Sequence, residues 1–495
     1  MPQGLSEWVR ATLTTGGDAR ALAFGGTWRS WAWMKRVADQ LEAALEAGGV
    51  ATGAAVGLVA RNRPAQVAAF AGQIAAHRPT SMIYSAQTPA GMAGDVRRLN
   101  AAAILADPED WTAELHAAAA QTGALGIVLT DDTENPVRVV EGLTQTGAGP
   151  HRTVGVEVAF ELLSSGTTGA PKRLPLSWAT VESATADADQ VFAGTSQRQA
   201  PMLMLSPIGN VAGISYLCPS LATGQSIVLL EKFTVGGWVD AVSTYRPARS
   251  SLPPAAVRMV VEAGVPREPL SSLTVVAVGG ARIEPELQVR FEEIYGIPVT
   301  TAFGATEFGG VVANWSLDLY RELGAIKRGS VGLASPNVDL RVVDRGSFQP
   351  LPSGEVGLLE ARVARIGPDW IRTTDLVWLD EDGFLFLQGR ADDAINRGGF
   401  KIVPEVVAAV LRDHPAVADA AVVGLADNRL GEVPVAAVEL KAGVNVSGPD
   451  ELLAFARDRL LAYQVPTAIM ILPALPRTLS MKVSFPDVKA LFEGT

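Results

Sequence analysis

Between residues 37 and 280 the sequence repeats one alternation: an alanine-rich stretch with helical spacing, then a short, almost purely apolar run. VADQLEAALEAGG (37–49) precedes AAVGLVA (54–60), and PAQVAAFAGQIAAH (64–77) follows it. ALGIVLT (124–130), QSIVLLE (225–231) and LTVVAVGG (273–280) continue the series. Runs this short and this uniformly apolar suit strands buried on both faces, with helices as the crossovers between parallel neighbours. The expected fold is therefore α/β, with layered subdomains in a large N-terminal domain. LTVVAVGGARIEPELQVRFEEIYG reads as strand, glycine turn and helix, with Pro285 in the first helical turn.

From about Gly332 to Gln388 the texture changes. VDLRVVD, GEVGLLEARV, DLVWLD and GFLFLQG alternate apolar and polar residues, with a turn at Glu381-Asp-Gly383. A β-rich subdomain is expected there. The last hundred or so residues (PEVVAAVLRDHP, VADAAVVGLA, VPVAAVEL, DELLAFARDRL) read as a small α+β domain. The boundary falls near Arg390-Ala-Asp-Asp393, dividing the chain into 1–389 and 390–495.

Composition narrows the function. With 41 basic and 52 acidic residues the net charge is −11, and no long basic run appears, so nucleic acid is not an expected partner. The lone Cys218 lies in apolar SYLCPSL and reads as a buried structural thiol. MPQGLSEWVRATLTTGG lacks an apolar signal core, and no apolar run reaches membrane-spanning length. A cytoplasmic chain without a membrane span, monomer or homodimer, is expected.

One segment is unusually rich in small hydroxyl and glycine residues: LSSGTTGAPKR (163–173). Backbone N–H groups and hydroxyls in such a loop can wrap phosphate oxygens, with Lys172 adding a positive charge. The spacing is not that of a Walker A loop, because Pro171 precedes the lysine and Arg173-Leu-Pro follows it. A plain Ser/Gly turn is the alternative on composition alone.

The order of residues in SSGTTGAPK resembles the phosphate loop of the adenylate-forming superfamily, which includes acyl- and aryl-CoA ligases, nonribosomal adenylation domains and luciferases. Further segments resemble that family in order: AVGGARIEPEL, TAFGATEFGG, SVGLASPNVDLRVVD, RTTDLVWLDEDGFLFLQGRADDAINRGGFKIVP and LPRTLSMK. The resemblance runs from about residue 20 to 490. It implies an ATP-dependent enzyme that converts a small-molecule carboxylic acid to an acyl-adenylate, releasing pyrophosphate. The acyl group then passes to a thiol with release of AMP. That thiol is coenzyme A or, alternatively, a separate acyl carrier protein. A non-catalytic nucleotide-binding member is a third reading.

By the same resemblance, Ser164, Ser165, Gly166, Thr167, Thr168, Gly169 and Lys172 would hold the ATP phosphates. Thr306 and Glu307 would act at the reacting centre, with Glu307 ligating Mg²⁺. Phe303 would stack on adenine beside Gly280 and Ala281, and Asp375 and Arg390 would grip the ribose. Lys482 would bridge the carboxylate and the α-phosphate as charge develops. Asp392 would be the hinge of a mobile C-terminal domain, and Gly398, Gly399 and Lys401 would contact coenzyme A. Asn210, Gly213, Phe303 and Gly304 would border the acyl pocket.

Several positions depart from the pattern. Gly209 and Asn210 stand where the family has Phe-His, Thr374 and Met481 where it has Gly, Arg173 where it has Gly, and Phe485 where it has Arg. The PEVVA segment lacks the second glutamate. PIGNVAGISYL (207–217) holds no acid, so an amino acid is not the expected substrate; segments 207–216, 233–238 and 303–310 are small or apolar, which suits an aryl or medium-chain acyl acid. Asn210 or Ser215 would read a hydroxyl on it.

Overall fold

The computed structural model describes residues 4–163, 173–192, 200–391, 393–397, 400–427, 429–478 and 481–493. The chain divides into two compact units. One is Met1–Gly279 with Ile283–Ala325 and Ala364–Gly367, and the other Gly280–Arg282 with Ile326–Val363 and Pro368–Thr495.

The first unit contains the expected parallel strands. Its largest sheet runs in the order Val137–Val139, Leu125–Leu129, Ala103–Ala106, Val56–Ala60, Thr80–Tyr84, Val158–Leu163, Arg173–Ser177. The five inner strands are parallel and the two edge strands antiparallel. Val56–Ala60 is buried along its whole length, as is the Pro64–Ala75 helix beside it. That burial explains why both read as nearly uniform apolar stretches. Packing is close enough that a Cβ on Gly72 would lie 2.8 Å from Ala38 Cβ. Phe70 and Phe160 stack at 4.9 Å between helix and sheet.

A second sheet joins Arg249–Leu252, Val275–Val278 and Val299–Ala305 in parallel, then turns back antiparallel through Gly310–Asn314. A third pairs Met202–Met204 with Ile227–Leu229 and the N-terminal strands Arg20–Phe24 and Thr27–Ser30. Pro285 opens the Pro285–Tyr295 helix, where its missing N–H costs no hydrogen bond. Cys218 is buried, and desolvation drives its thiol pKa upward, as a structural thiol requires.

In the second unit, Val338–Val343, Gly357–Val363, Trp370–Leu379 and Leu385–Arg390 form an antiparallel meander. A further sheet is built on the long hairpin Val417–Asp427/Gly431–Leu440, joined by Ala468–Leu472 and Ile395–Arg397. The Pro404–Arg412 helix buries Val407, Ala408 and Leu411 in this sheet's core, and Pro449–Arg457 buries Leu452, Leu453 and Ala456 there. Among the described residues no helix is long and apolar enough to cross a membrane.

Candidate functional site

The phosphate-loop residues Ser164, Ser165, Gly166, Thr167, Thr168, Gly169 and Lys172 lie outside the described residues, but both strands that carry them are described. Leu163 and Arg173 face each other in an antiparallel ladder, so the strands on either side of segment 164–172 pair at the sheet edge. In the first of these strands, Glu161 is buried and receives Arg152 in a bidentate pair together with the Ser81 hydroxyl. Burial alone would raise the Glu161 pKa, yet these hydrogen bonds and charges hold it below the ordinary value. Arg173 donates to the Met82 carbonyl at 2.9 Å and to Asp95 at 2.8 Å. The residue that breaks the family pattern thus anchors the loop's stem to the neighbouring strand and to the Pro89–Leu99 helix.

The strand Val299–Ala305 carries Phe303 and Gly304 into a one-turn helix, Thr306–Phe308, and the chain returns through Gly310–Asn314. Phe303 is half-buried and Glu307 exposed. A Cβ on Gly304 would lie 2.4 Å from the Gly310 carbonyl, so only glycine fits there. Arg365 clasps both sides of this turn. Its guanidinium donates to the Phe308 carbonyl at 3.0 Å and the Val311 carbonyl at 2.7 Å, while its own carbonyl accepts from Thr180 at 3.0 Å. Arg365 escaped the sequence reading because it belongs to no motif; nothing short of the tertiary contact reveals it.

Glu307 has no protein partner among the described residues, and no cluster of three or more metal-ligating side chains gathers among them. A single carboxylate with no partner among the described residues fits Mg²⁺, which keeps waters and takes further ligands from phosphate.

The helix Val211–Thr223, which includes Gly213 of the expected acyl pocket, is fixed at its start. Asn210 is its N-cap, accepting from the Gly213 N–H at 2.8 Å, so the side-chain oxygen is committed to the helix. A Cβ on Gly213 would lie 2.1 Å from the Pro207 carbonyl, which explains the glycine. Ser215 donates to the Val211 carbonyl at 2.8 Å, and a Cβ on Gly310 would lie 3.3 Å from its Oγ. The helix and the Thr306–Glu307 turn are therefore neighbours.

Asn62 sets this arrangement from below. It is buried, donates to the carbonyls of Leu205, Ser206 and Leu230 at 3.1–3.2 Å, and accepts from the Ile208 N–H at 3.0 Å. No sequence signal marked it. A Cβ on Gly209, where the family has an aromatic residue, would lie 2.9 Å from Ala60 Cβ.

The second unit gathers Asp375, Arg390, Gly280 and Lys482. Asp375 and Arg390 are directly paired across neighbouring strands, and Arg390 donates to the Thr374 hydroxyl at 2.7 Å. Threonine in place of glycine at 374 thus supplies an acceptor that steadies Arg390. Gly280 has φ +82°, and a Cβ there would lie 2.8 Å from Lys482 Cε. Ala281, next in the chain, is exposed. Desolvation first, then the Arg390 charge, lowers the Lys482 pKa below the ordinary lysine value.

Met481 adopts φ +59°, the left-handed conformation for which glycine is suited. The turn is closed by the Thr478 N–H donating to the Lys482 carbonyl at 2.8 Å. Arg477 braces it, donating to the Met481 carbonyl at 3.3 Å and to Asp419 at 2.6 Å. Phe485 begins the last helix and is exposed. Asp392, Gly398, Gly399 and the side chain of Lys401 lie outside the described residues.

Comparison with known proteins adds the following. The AMP-binding enzyme family matches residues 9–365, and the AMP-binding enzyme C-terminal domain matches residues 407–482. The chain is similar to a 2-succinylbenzoate–CoA ligase of Geobacillus kaustophilus, with 32% identity over 362 residues, 68% of this chain and 70% of that protein. It is also similar to 4-coumarate–CoA ligase-like 2 of Arabidopsis thaliana, 30% identical over 348 residues; this match covers 66% of the chain and 60% of the length of that relative. In structure it is similar to the amide bond synthetase McbA of Marinactinospora thermotolerans, with TM-score 0.80, 25% identity and 99% of both chains covered.

Proposed function

The chain belongs to the AMP-binding enzyme family, and from that premise we propose that it activates a carboxylic acid with ATP and passes the acyl group to coenzyme A. The observation that carries this reading is the Arg365-clasped turn, which holds Thr306 and Glu307, a carboxylate without a partner among the described residues, next to the helix proposed to border the acid. In the first step a carboxylate oxygen attacks the α-phosphorus and pyrophosphate leaves. Two anions must meet, so positioning and charge stabilisation dominate. The 164–172 loop grips the β- and γ-phosphates, Phe303 takes the adenine, and Asp375 with Arg390 takes the ribose. Glu307 would hold Mg²⁺, which would supply charge neutralisation for the phosphates. Lys482 donates to the carboxylate and α-phosphate oxygens.

In the second step the thiolate of coenzyme A attacks the acyl carbon and AMP leaves. Residues 390–495 act as a mobile domain hinged at Asp392, with Gly398, Gly399 and Lys401 meeting the pantetheine arm. The acid is aryl or medium-chain, given the small and apolar segments 207–216, 233–238 and 303–310.

ATP–pyrophosphate exchange against benzoates, cinnamates and short to long fatty acids tests the first step. A parallel reaction with coenzyme A, read by mass, tests the second. Exchange plus thioester is the expected result. Exchange without thioester transfers the reading to another acceptor, a carrier-protein thiol or an amine. No exchange with any acid overturns it.

A further inference from the structure

The segment that presents Lys482 packs on one face of the Val417–Asp427/Gly431–Leu440 hairpin. Leu475, Val483 and Val488 join the cross-strand pairs Ala421/Ala437 and Val423/Val435 in one apolar cluster. The next pair on that face is Asp419 and Glu439, two carboxylates directly opposite each other. Like charges in that position repel, so the pair calls for a cation. Arg477 supplies it, donating to Asp419 Oδ2 at 2.6 Å and lying 3.7 Å from Glu439 Oε2. Asp419 is buried, which shields this contact from solvent and salt. Its other oxygen accepts from the Ala420 N–H at 2.8 Å and lies 3.8 Å from Arg412. Glu439 in turn accepts from the Leu475 N–H at 3.0 Å, which ties down the start of the lysine segment.

The second arm of the same guanidinium reaches the lysine turn, donating to the Met481 carbonyl at 3.3 Å. Arg477 also pairs with Val483 across that turn. A guanidinium is a rigid planar fork, so fixing one arm on Asp419 aims the other. The turn needs such a hold: Met481 stands at φ +59°, and a strained conformation persists only where its surroundings fix it.

Resting on the reading of Lys482 as the lysine of acid activation, we propose that Asp419 is a positioning residue for adenylation, acting through Arg477 on the turn that presents Lys482. Asp419 touches neither acid nor nucleotide in this role. It sets where the ammonium stands.

The test separates the two half-reactions. Pyrophosphate exchange reads adenylation, and thioester formation from supplied acyl-AMP reads the second step. Asp419→Asn is expected to lower kcat in exchange by about tenfold, the scale of a small misplacement of a catalytic group, and to leave the second step unchanged. Asp419→Glu, which keeps the charge, should restore most of the exchange rate. Arg477→Gln should reproduce the loss, and the double variant Asp419→Asn/Arg477→Gln should be no slower than Arg477→Gln alone, because the two residues act as one unit. Melting temperatures report folding. Should Asp419→Asn not fold, Arg477→Lys, which keeps the charge without the fork, is expected to show a smaller loss confined to exchange. Equal loss of both half-reactions in the folded variants makes the contact merely structural and overturns the proposal. Exchange at the wild-type rate in Asp419→Asn, or losses that multiply in the double variant, overturn it as well. Absence of exchange in the wild-type protein with every acid is a different failure, because it removes acid activation itself and this inference with it.

Discussion

Leu163 and Arg173 are paired in one antiparallel ladder, and Arg173 carries the tie that fixes this stem, a 2.8 Å bond to buried Asp95. Removing one partner of a buried pair strands the other charge. Arg173→Gly, which restores the family's residue, should therefore cost about 3 kcal/mol in urea unfolding. Adding Asp95→Ala to it should recover much of that loss. A double variant no more stable than Arg173→Gly alone would refute the pairing.

Arg365 holds both sides of the Thr306–Phe308 turn through backbone carbonyls. Arg365→Ala should lower kcat in pyrophosphate exchange by about tenfold to a hundredfold, the scale expected when a catalytic group shifts by about 1 Å. Pyrophosphate exchange with the Mg²⁺ concentration varied checks this: the variant should need more Mg²⁺ for half-maximal rate.

Asn62 shares its two amide hydrogens among three carbonyls and accepts one N–H beside the segment proposed to border the acid. Asn62→Ala should raise KM for the acid more than KM for ATP. It should also destabilise the fold by about 1–3 kcal/mol through unsatisfied buried groups. A purely structural role would instead lower the active fraction and leave both KM values alone.

The Lys482 ammonium loses its proton below the ordinary lysine pKa of 10.5. Because the folded value is depressed, the charged form carries a folding penalty at neutral pH, relieved as pH rises from the folded pKa toward 10.5. Adenylation that depends on the ammonium should fall on the alkaline side with a midpoint below 10.5. Arg390→Gln removes a repelling charge and should move that midpoint upward, as followed by amine-selective labelling of Lys482 against pH. Lys482→Ala should abolish exchange while thioester formation from supplied acyl-AMP partly survives; equal loss of both would refute the assigned role.

Met481 stands at φ +59° in the turn that presents Lys482. Holding a non-glycine residue there costs about 1 kcal/mol or more. Met481→Gly should raise the melting temperature or leave it unchanged, whereas Met481→Val should lower it, because a β-branched residue fits the left-handed region worse. Thermal unfolding of the three proteins decides it.

The parallel strands, the β-rich stretch after Gly332 and the ordered motifs were legible in the amino-acid order, because burial on two faces, alternation and glycine turns each leave a short-range pattern. Thr306, Glu307, Asp375, Arg390 and Lys482 could be proposed from the same kind of pattern, since each sits inside a contiguous motif. The structural uses of Asn62 and Arg365 were not legible there, because their partners lie more than fifty residues away. The residue at 173 shows the division most clearly. Its identity could be read only as a departure from a family pattern, while its use, an ion pair to Asp95 on a helix, depended on two distant segments packing so that a half-buried guanidinium met a buried carboxylate. Local order thus sets which chemistry the chain carries. Long-range packing alone decides which side chains hold that chemistry in place, because hydrogen bonds and ion pairs form wherever folding brings donors to acceptors, and sequence distance leaves no trace of it.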